Sequence, residues 1–404
     1  MTKGFFAKQE IQSLSRPDGK TYSCHSCGLY KTCNSPKMEP FGNFKKGILN
    51  IGEAGGETED LLGKPWQGKA GKLLQKTYRK LGIDLFEDCL NINSVNCRPK
   101  SKTGENRTPT NYEIDCCRRF VIEAIEKYKP KVIILLGNSA IYSVIGHRWK
   151  KDLGGINKWR GWTIPDQDFK SWICPVFHPS FVMRTETEEL YTVWEQDLLQ
   201  AFEMLEKSLP VFTEPEIHFI EDTKVLKEIK NGSVVSFDYE TTGLKPHTEG
   251  HQIVCISVAT DENNAYVFML NESNENHFRD LLVNRYIGKM GHNIKFETAW
   301  TYNILNARIR NWKWDSMLAA HVLDNRIGIT GLKFQTCVNF GVFDYSSEVD
   351  KWLKAEDEKN ANSMNRVLEF VSTESGRQEL MTYCAKDSIY QYRLAKLQME
   401  KFSL

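Results

Sequence analysis

The chain has 404 residues, 41% of them hydrophobic and 26% charged, with a formal net charge of +1. That length exceeds one ordinary core, so two or three domains of about 150 residues are expected, and the composition is ordinary for a soluble globular chain. No uninterrupted apolar run of about 18 residues occurs, so no spanning helix and no membrane partner are expected.

The opening stretch Met1–Glu10 has no long apolar core, so no secretory signal is read there and a cytoplasmic location is expected. In that compartment eleven cysteines argue for free thiols and metal ligands rather than disulfides. The near-neutral total hides an asymmetry: residues 1–205 carry 30 Lys and Arg against 24 Asp and Glu, and residues 206–404 carry 23 against 28. A basic first half suits a phosphate backbone, and an acidic second half suits divalent metals. Solvated surface explains imbalances of this size equally well, so charge alone decides nothing.

In chain order, a Cys24-x-x-Cys27 pair comes first. Gly47–Ile51 reads as a buried strand leading into Gly52-Glu-Ala-Gly-Gly56, with Glu59 and Asp60 just beyond and a second glycine-rich turn over Gly63–Gly71. Such turns let backbone amides approach a phosphate or a base edge closely. Leu73–Leu81 reads as a helix and Cys89–Asn93 as a strand running into Asn93-Ser-Val-Asn-Cys-Arg-Pro99. Asn106-Arg-Thr-Pro-Thr110 precedes Cys116 and Cys117; Val121–Tyr128 reads as a helix and Lys131–Gly137 as a strand. Trp172–Phe177 is a further strand, weakened by Pro175, followed by His178-Pro-Ser-Phe-Val-Met-Arg184 and a closing helix over Glu188–Leu205.

Strand–helix alternation implies an α/β domain, a mainly parallel sheet covered on both faces. Sites in such sheets sit at the carboxyl ends of strands, where Glu53, Asn93 and His178 fall. Four thiolates from Cys24, Cys27, Cys97 and Cys117 can hold an iron–sulfur cluster, with Cys116 able to replace Cys117. Cys33, Cys89 and Cys174 read as ordinary buried thiols.

Ser208–Glu216, with two prolines and no periodicity, reads as a linker between domains at 1–207 and 217–404. A short helix near Thr223–Lys230 is followed by a strand over Ser233–Asp238. Gln252–Ala259 and Asn264–Met269 continue it as a meander, and helices are expected from there to Leu404. Asp238 and Glu240, two apart on a strand, point to one face, which suits a pair of bridged divalent metals. Tyr383 and Asp387 stand one helical turn apart on one face. Between them lie Gly291-His-Asn-Ile-Lys-Phe-Glu297 and Trp314-Asp-Ser-Met-Leu318.

From Cys24 to Leu205 these motifs, in this order, resemble the family-four uracil-DNA glycosylases, which carry an iron–sulfur cluster. The resemblance implies a glycosylase fold and a [4Fe-4S] cluster on Cys24, Cys27, Cys97 and Cys117; the family has alanine at the place of Cys116. It implies that a flipped uracil stacks on Trp66, where the family usually has Phe. Asn93 would read the base edge, and His178 would donate to O2 as charge develops. Glu53 would be a catalytic candidate, and Gly52, Ala54, Gly55 and Arg184 would line the substrate. One departure is Gly55, where the family has proline; the loop loses a fixed φ, which leaves open a half that binds uracil without cutting.

Residues from about 215 to 404 resemble the 3′–5′ proofreading exonucleases with an Asp-Glu-Asp-Asp plus Tyr arrangement, as in family A DNA polymerases. That implies an RNase H-like mixed-sheet domain with two Mg2+ or Mn2+ ions on Asp238, Glu240, Glu297 and Asp387. Tyr383 would orient the attacking water, with Asn293 at the substrate. Glu297 stands where many relatives have Asp, and Asp315 is read as a structural support. The chain ends where a family A polymerase would begin its thumb and palm. The combined expectation is a bifunctional enzyme acting on DNA, associated with a separately encoded polymerase subunit.

Overall fold

The computed structural model describes residues 22–403 apart from Glu358. The stretch Met1–Glu10, read for a signal, lies outside the described residues. The chain divides into two compact units: the residues up to Val211 with Val338–Phe343, and Phe212–Cys337 with the residues from Asp344 onward. Among the described residues no helix is long and apolar enough to cross a membrane.

The first unit is built on strands β1 (Ile48–Ala54), β2 (Cys89–Val95), β3 (Val132–Leu136), β4 (Ile164–Asp166) and β5 (Ser171–Val176), in the order β2-β1-β3-β5-β4. All neighbours are parallel except β4 and β5. Every residue of β2, β3 and β5 is buried, as expected of strands covered on both faces. The antiparallel β4 was not foreseen; three residues give too little pattern to read. Pro175 sits inside β5 without breaking the ladder. The Trp172 N–H points to β3, so alternation directs position 175 toward β4, which has already ended opposite Ile173.

Helix Asn111–Tyr128 begins ten residues before the apolar pattern suggests. Its first turn is set by a capping box: Thr110 Oγ1 accepts from the Glu113 amide at 3.3 Å, and the Glu113 carboxylate accepts from the Thr110 amide at 2.8 Å. Cys116 and Cys117 are therefore helical. Helices Lys69–Lys80 and Glu188–Glu203 close the core around Leu74, Tyr78, Trp194 and Leu198.

The second unit carries β6 (Glu216–Phe219), β7 (Val234–Thr241), β8 (Ile253–Ala259), β9 (Asn264–Met269), β10 (Gly288–Gly291) and β11 (Trp312–Asp315), in the order β11-β10-β7-β8-β9-β6. The meander β7-β8-β9 is antiparallel, while β10, β11 and β6 join in parallel. Leaving aside the edge strand β6, this is the RNase H-like arrangement. Helices dominate after Met269, but β10 and β11 were not foreseen. Both are four residues long, and β10 hides a wholly buried Lys289 whose Nζ donates to the carbonyls of Asn284 and Ile287. The last expected linker residue, Glu216, opens β6. Helix Glu374–Lys401 packs on β7 and β8, pinned by Ser257 Oγ donating to the Cys384 carbonyl at 2.7 Å and Gln391 Nε2 donating to the Met290 carbonyl at 2.8 Å.

Candidate active sites

In the first unit the parallel strands β2, β1 and β5, with β3 between the last two, end on one edge of the sheet, and the expected residues lie there. Gly52 pairs with Asn93 across β1 and β2. A Cβ on Gly52 would stand 2.6 Å from Asn93 Oδ1 and 2.8 Å from Trp66 Cζ2, so only glycine lets these two side chains close on the strand. Trp66 is 6% exposed and holds φ +62°, a left-handed backbone unusual for a bulky residue. Its ring centre lies 5.6 Å from that of His178.

His178 caps the helix Pro179–Thr185. Its Nδ1 accepts from the Ser180 amide at 3.2 Å and lies 2.8 Å from Ser180 Oγ. Desolvation, then the charge of Arg184, lowers its pKa to about 4. A neutral ring whose Nδ1 accepts carries its proton on Nε2. Glu53 accepts from Ser139 Oγ at 3.2 Å; burial raises its pKa, against the Ser139 bond and Arg184. Arg184 itself is exposed. Ala54 packs against the cluster of Leu29, Val95, Cys97, Ile114 and Cys117.

Two residues quoted in the motif received no role from the sequence and turn out to hold it together. Glu59 takes the amides of Gln67 (2.9 Å) and Gly68 (2.7 Å) on Oε1 and that of Gly56 (3.0 Å) on Oε2, joining both glycine-rich turns. Asp60, fully buried, accepts from the amides of Asn34 and Ser35 at 2.8 and 2.9 Å, with Arg98 and Lys100 at 4.0 and 3.8 Å from its other oxygen.

Cys24, Cys27, Cys97, Cys116 and Cys117 line one hollow with Tyr30 and Val95. Cys97 Sγ accepts from the Lys37 amide at 3.3 Å and Cys117 Sγ from the Asn96 amide at 3.4 Å. Burial pushes both thiols up to about 12, opposed by these amides. Cys33, read as an ordinary buried thiol, is half-buried and close enough to Cys97 to act on its titration; sixty-four residues of separation gave no sign of it.

In the second unit, β7 presents Asp238 and Glu240 beside Cys384, with one ligand atom of each within 4.8 Å of the others. Asp387 and Tyr383 reach the same place from helix Glu374–Lys401, where both are buried. Glu297, on helix Ile294–Ile304, is 2% exposed and its Oε2 has no hydrogen-bond partner. Burial raises Asp238, Glu240 and Glu297 well above the usual carboxylate range, and mutual repulsion adds to it: Asp387 acts on Asp238, and Asp238 on Glu240 and Glu297. Burial and then the charge of Asp387 likewise raise Tyr383. Asp315 accepts from the amides of Asn293 and Ile294, both at 3.1 Å, and caps its own helix. Asn293 thereby takes φ +73°, which asparagine tolerates. Sequence reasoning missed Lys333 and Tyr345, which both bind Asp387 Oδ1.

Residues 39–201 match the uracil DNA glycosylase superfamily, and residues 220–401 match the 3′-5′ exonuclease family. A type-4 uracil-DNA glycosylase of Thermotoga maritima is 36% identical over 203 residues, half of this chain and 98% of that protein. The chain belongs to the type-4 uracil-DNA glycosylase family. The corresponding protein of Archaeoglobus fulgidus is 31% identical over 203 residues, 50% of this chain and 97% of that one. A DNA polymerase of Bacillus phage SP01 is 25% identical over 333 residues, 73% of this chain but 34% of the phage protein. This glycosylase-family chain thus carries a second, 3′-5′ exonuclease domain, and its chemistry is hydrolysis on DNA.

Proposed function

We propose that this chain removes uracil from DNA by base flipping and N-glycosidic cleavage and trims DNA 3′ ends as a proofreading-type nuclease. The observation that carries the first activity is the Ser180 amide on His178 Nδ1, which leaves an Nε2–H to donate to uracil O2 as the leaving base gains charge. Trp66 stacks the flipped base, Asn93 reads its edge, and the backbone around Glu53 adds donors. Glu53 would take part in catalysis and Arg184 would contact the substrate.

The thiol hollow fits a [4Fe-4S] cluster. Among the described residues no three of these sulfurs lie within 4.8 Å of one another, wider than the roughly 3.8 Å that follows from tetrahedral Zn–S bonds of about 2.3 Å. Amide donors on Cys97 and Cys117 suit thiolate ligands, so Cys24, Cys27, Cys97 and Cys117 would hold the cluster, with Cys116 spare. The cluster would be structural.

For the nuclease, buried hard oxygen donors and the orphan Glu297 oxygen fit divalent ions. Asp238, Glu240, Glu297 and Asp387 would hold two Mg2+ or Mn2+. Such a pair, when bound, stabilises the attacking and leaving oxygens of phosphodiester hydrolysis. Tyr383 orients the water, and Asn293 lies on the substrate side. The likeness to part of a phage polymerase supports a DNA polymerase as partner.

Gly55 supports a second reading, a uracil-binding half that does not cut, because the fixed ring of a proline is missing and the loop is less preorganised. A 5′-labelled single strand with one uracil, incubated in EDTA and then alkali, separates the two. A single band at the uracil establishes cleavage; intact substrate from cluster-loaded protein leaves the binding module. Asp238→Ala should abolish metal-dependent trimming and leave the uracil band unchanged; surviving nuclease activity would sink the carboxylate assignment.

A further inference from the structure

The acidic nuclease site contains an unexpected base. Lys333 lies in the first turn of helix Leu332–Phe340, and its Nζ pairs with Asp387 Oδ1. The same oxygen accepts the Tyr345 hydroxyl at 2.6 Å. The ammonium stands 4.1 Å from the ring centre of Tyr383 and 4.3 Å from that of Tyr345, so two aromatic faces complete its surroundings. The pair is 16% and 9% exposed on its two sides. Among the described residues no other ion pair reaches Asp238, Glu240, Glu297 or Asp387.

Buried like charges repel strongly where water cannot screen them. Protonation or positive charge relieves such repulsion, and Lys333 is the ammonium that pairs with one of these four carboxylates among the described residues. Its field reaches Asp238 and Glu240 as well as Asp387. A lysine suits a removable charge: the ammonium is a compact point on a flexible four-carbon stem.

We propose that Lys333 is the resident counter-ion of the nuclease site, an ammonium that competes with divalent metal for Asp387 and leaves that carboxylate when metal binds. The inference rests on the metal reading above. The ammonium and the Tyr345 hydroxyl already fill the two acceptor sites of Asp387 Oδ1, so a metal that uses this oxygen displaces the ammonium. A metal that binds only when the ion pair is open loses affinity in proportion to how rarely it opens. The chain thereby keeps a stable metal-free site and binds metal less tightly than its carboxylates alone would.

The test is an Mn2+ titration of the full chain, followed by the electron paramagnetic resonance of free Mn2+, together with thermal unfolding in EDTA. Lys333→Met should bind Mn2+ roughly tenfold tighter and unfold at lower temperature in EDTA, with Mn2+ reversing the loss. Lys333→Arg, which keeps the charge, should resemble wild type in EDTA. Adding Asp387→Asn to Lys333→Met should erase the gain in affinity. Equal Mn2+ affinity in wild type and a folded Lys333→Met overturns the counter-ion. No Mn2+ bound by either protein overturns the metal reading itself, and the counter-ion with it.

Discussion

Replacing Glu59 with alanine should disable uracil handling although Glu59 need not touch the base. Its carboxylate is the shared acceptor of three amides, from Gly56, Gln67 and Gly68, at 2.7–3.0 Å. Hydrogen bonds to a charged group contribute about 1.5–3 kcal/mol each, and water recovers part of that at a half-buried site. A net loss of about 3 kcal/mol in domain stability is expected from Glu59→Ala. If about 2 kcal/mol of it appears as lost preorganisation of the two turns, kcat/KM for uracil release falls roughly 30-fold. Urea unfolding gives the first number, and single-turnover release of uracil in EDTA gives the second. Glu59→Ala protein that is folded and releases uracil within twofold of wild type would refute the claim that this carboxylate sets the pocket.

Three further outcomes are expected. Gly55→Pro should be tolerated, because the close neighbour is the flexible end of Met38; it should add about 0.5–1 kcal/mol of stability and raise uracil release, and a fall in release would show that the glycine is needed. Cys117→Ser should purify without full iron and sulfide, while Cys116→Ser keeps both; the reverse result, by elemental analysis, would exchange the two assignments. His178 titrates near 4 in the folded chain against about 6.5 unfolded, so its contribution is present above pH 6.5 and is lost as pH falls toward 4. Calorimetry of His178→Asn should show a flatter decline of first-domain stability across that window, and an unchanged slope would place the titration elsewhere.

Motifs were legible wherever the chemistry is local to a strand end or a helical turn. Gly52, Asn93 and His178 share one pocket because their strands end on one edge of the sheet, Trp66 reaches it from the second glycine-rich turn, and Asp238, Glu240, Tyr383 and Asp387 follow periods of two and four. What the sequence hid depends on distant partners. Nothing near Glu59 announces that its acceptors serve amides on two separate turns. Lys333 and Tyr345 lie 54 and 42 residues from Asp387. The short strands β4, β10 and β11 offer three or four residues each, and a buried lysine in β10 breaks the apolar pattern. Helix Asn111–Tyr128 was half seen, since polar residues and cysteines fill its first two turns.

Asp60 has a consequence for handling the protein. Its oxygens grip the backbone just after Cys33 and approach the side chains just after Cys97, and the residue before it is Glu59. Were a cluster held in the thiol hollow, disturbance from its loss would have one residue to travel before it reached Glu59, the staple of the two turns. Air or a chelator that strips the cluster would age uracil handling while Asn93 and His178 stay chemically intact. Protein prepared anaerobically and protein left on the bench would then share one uncleaved polypeptide yet differ in the pocket.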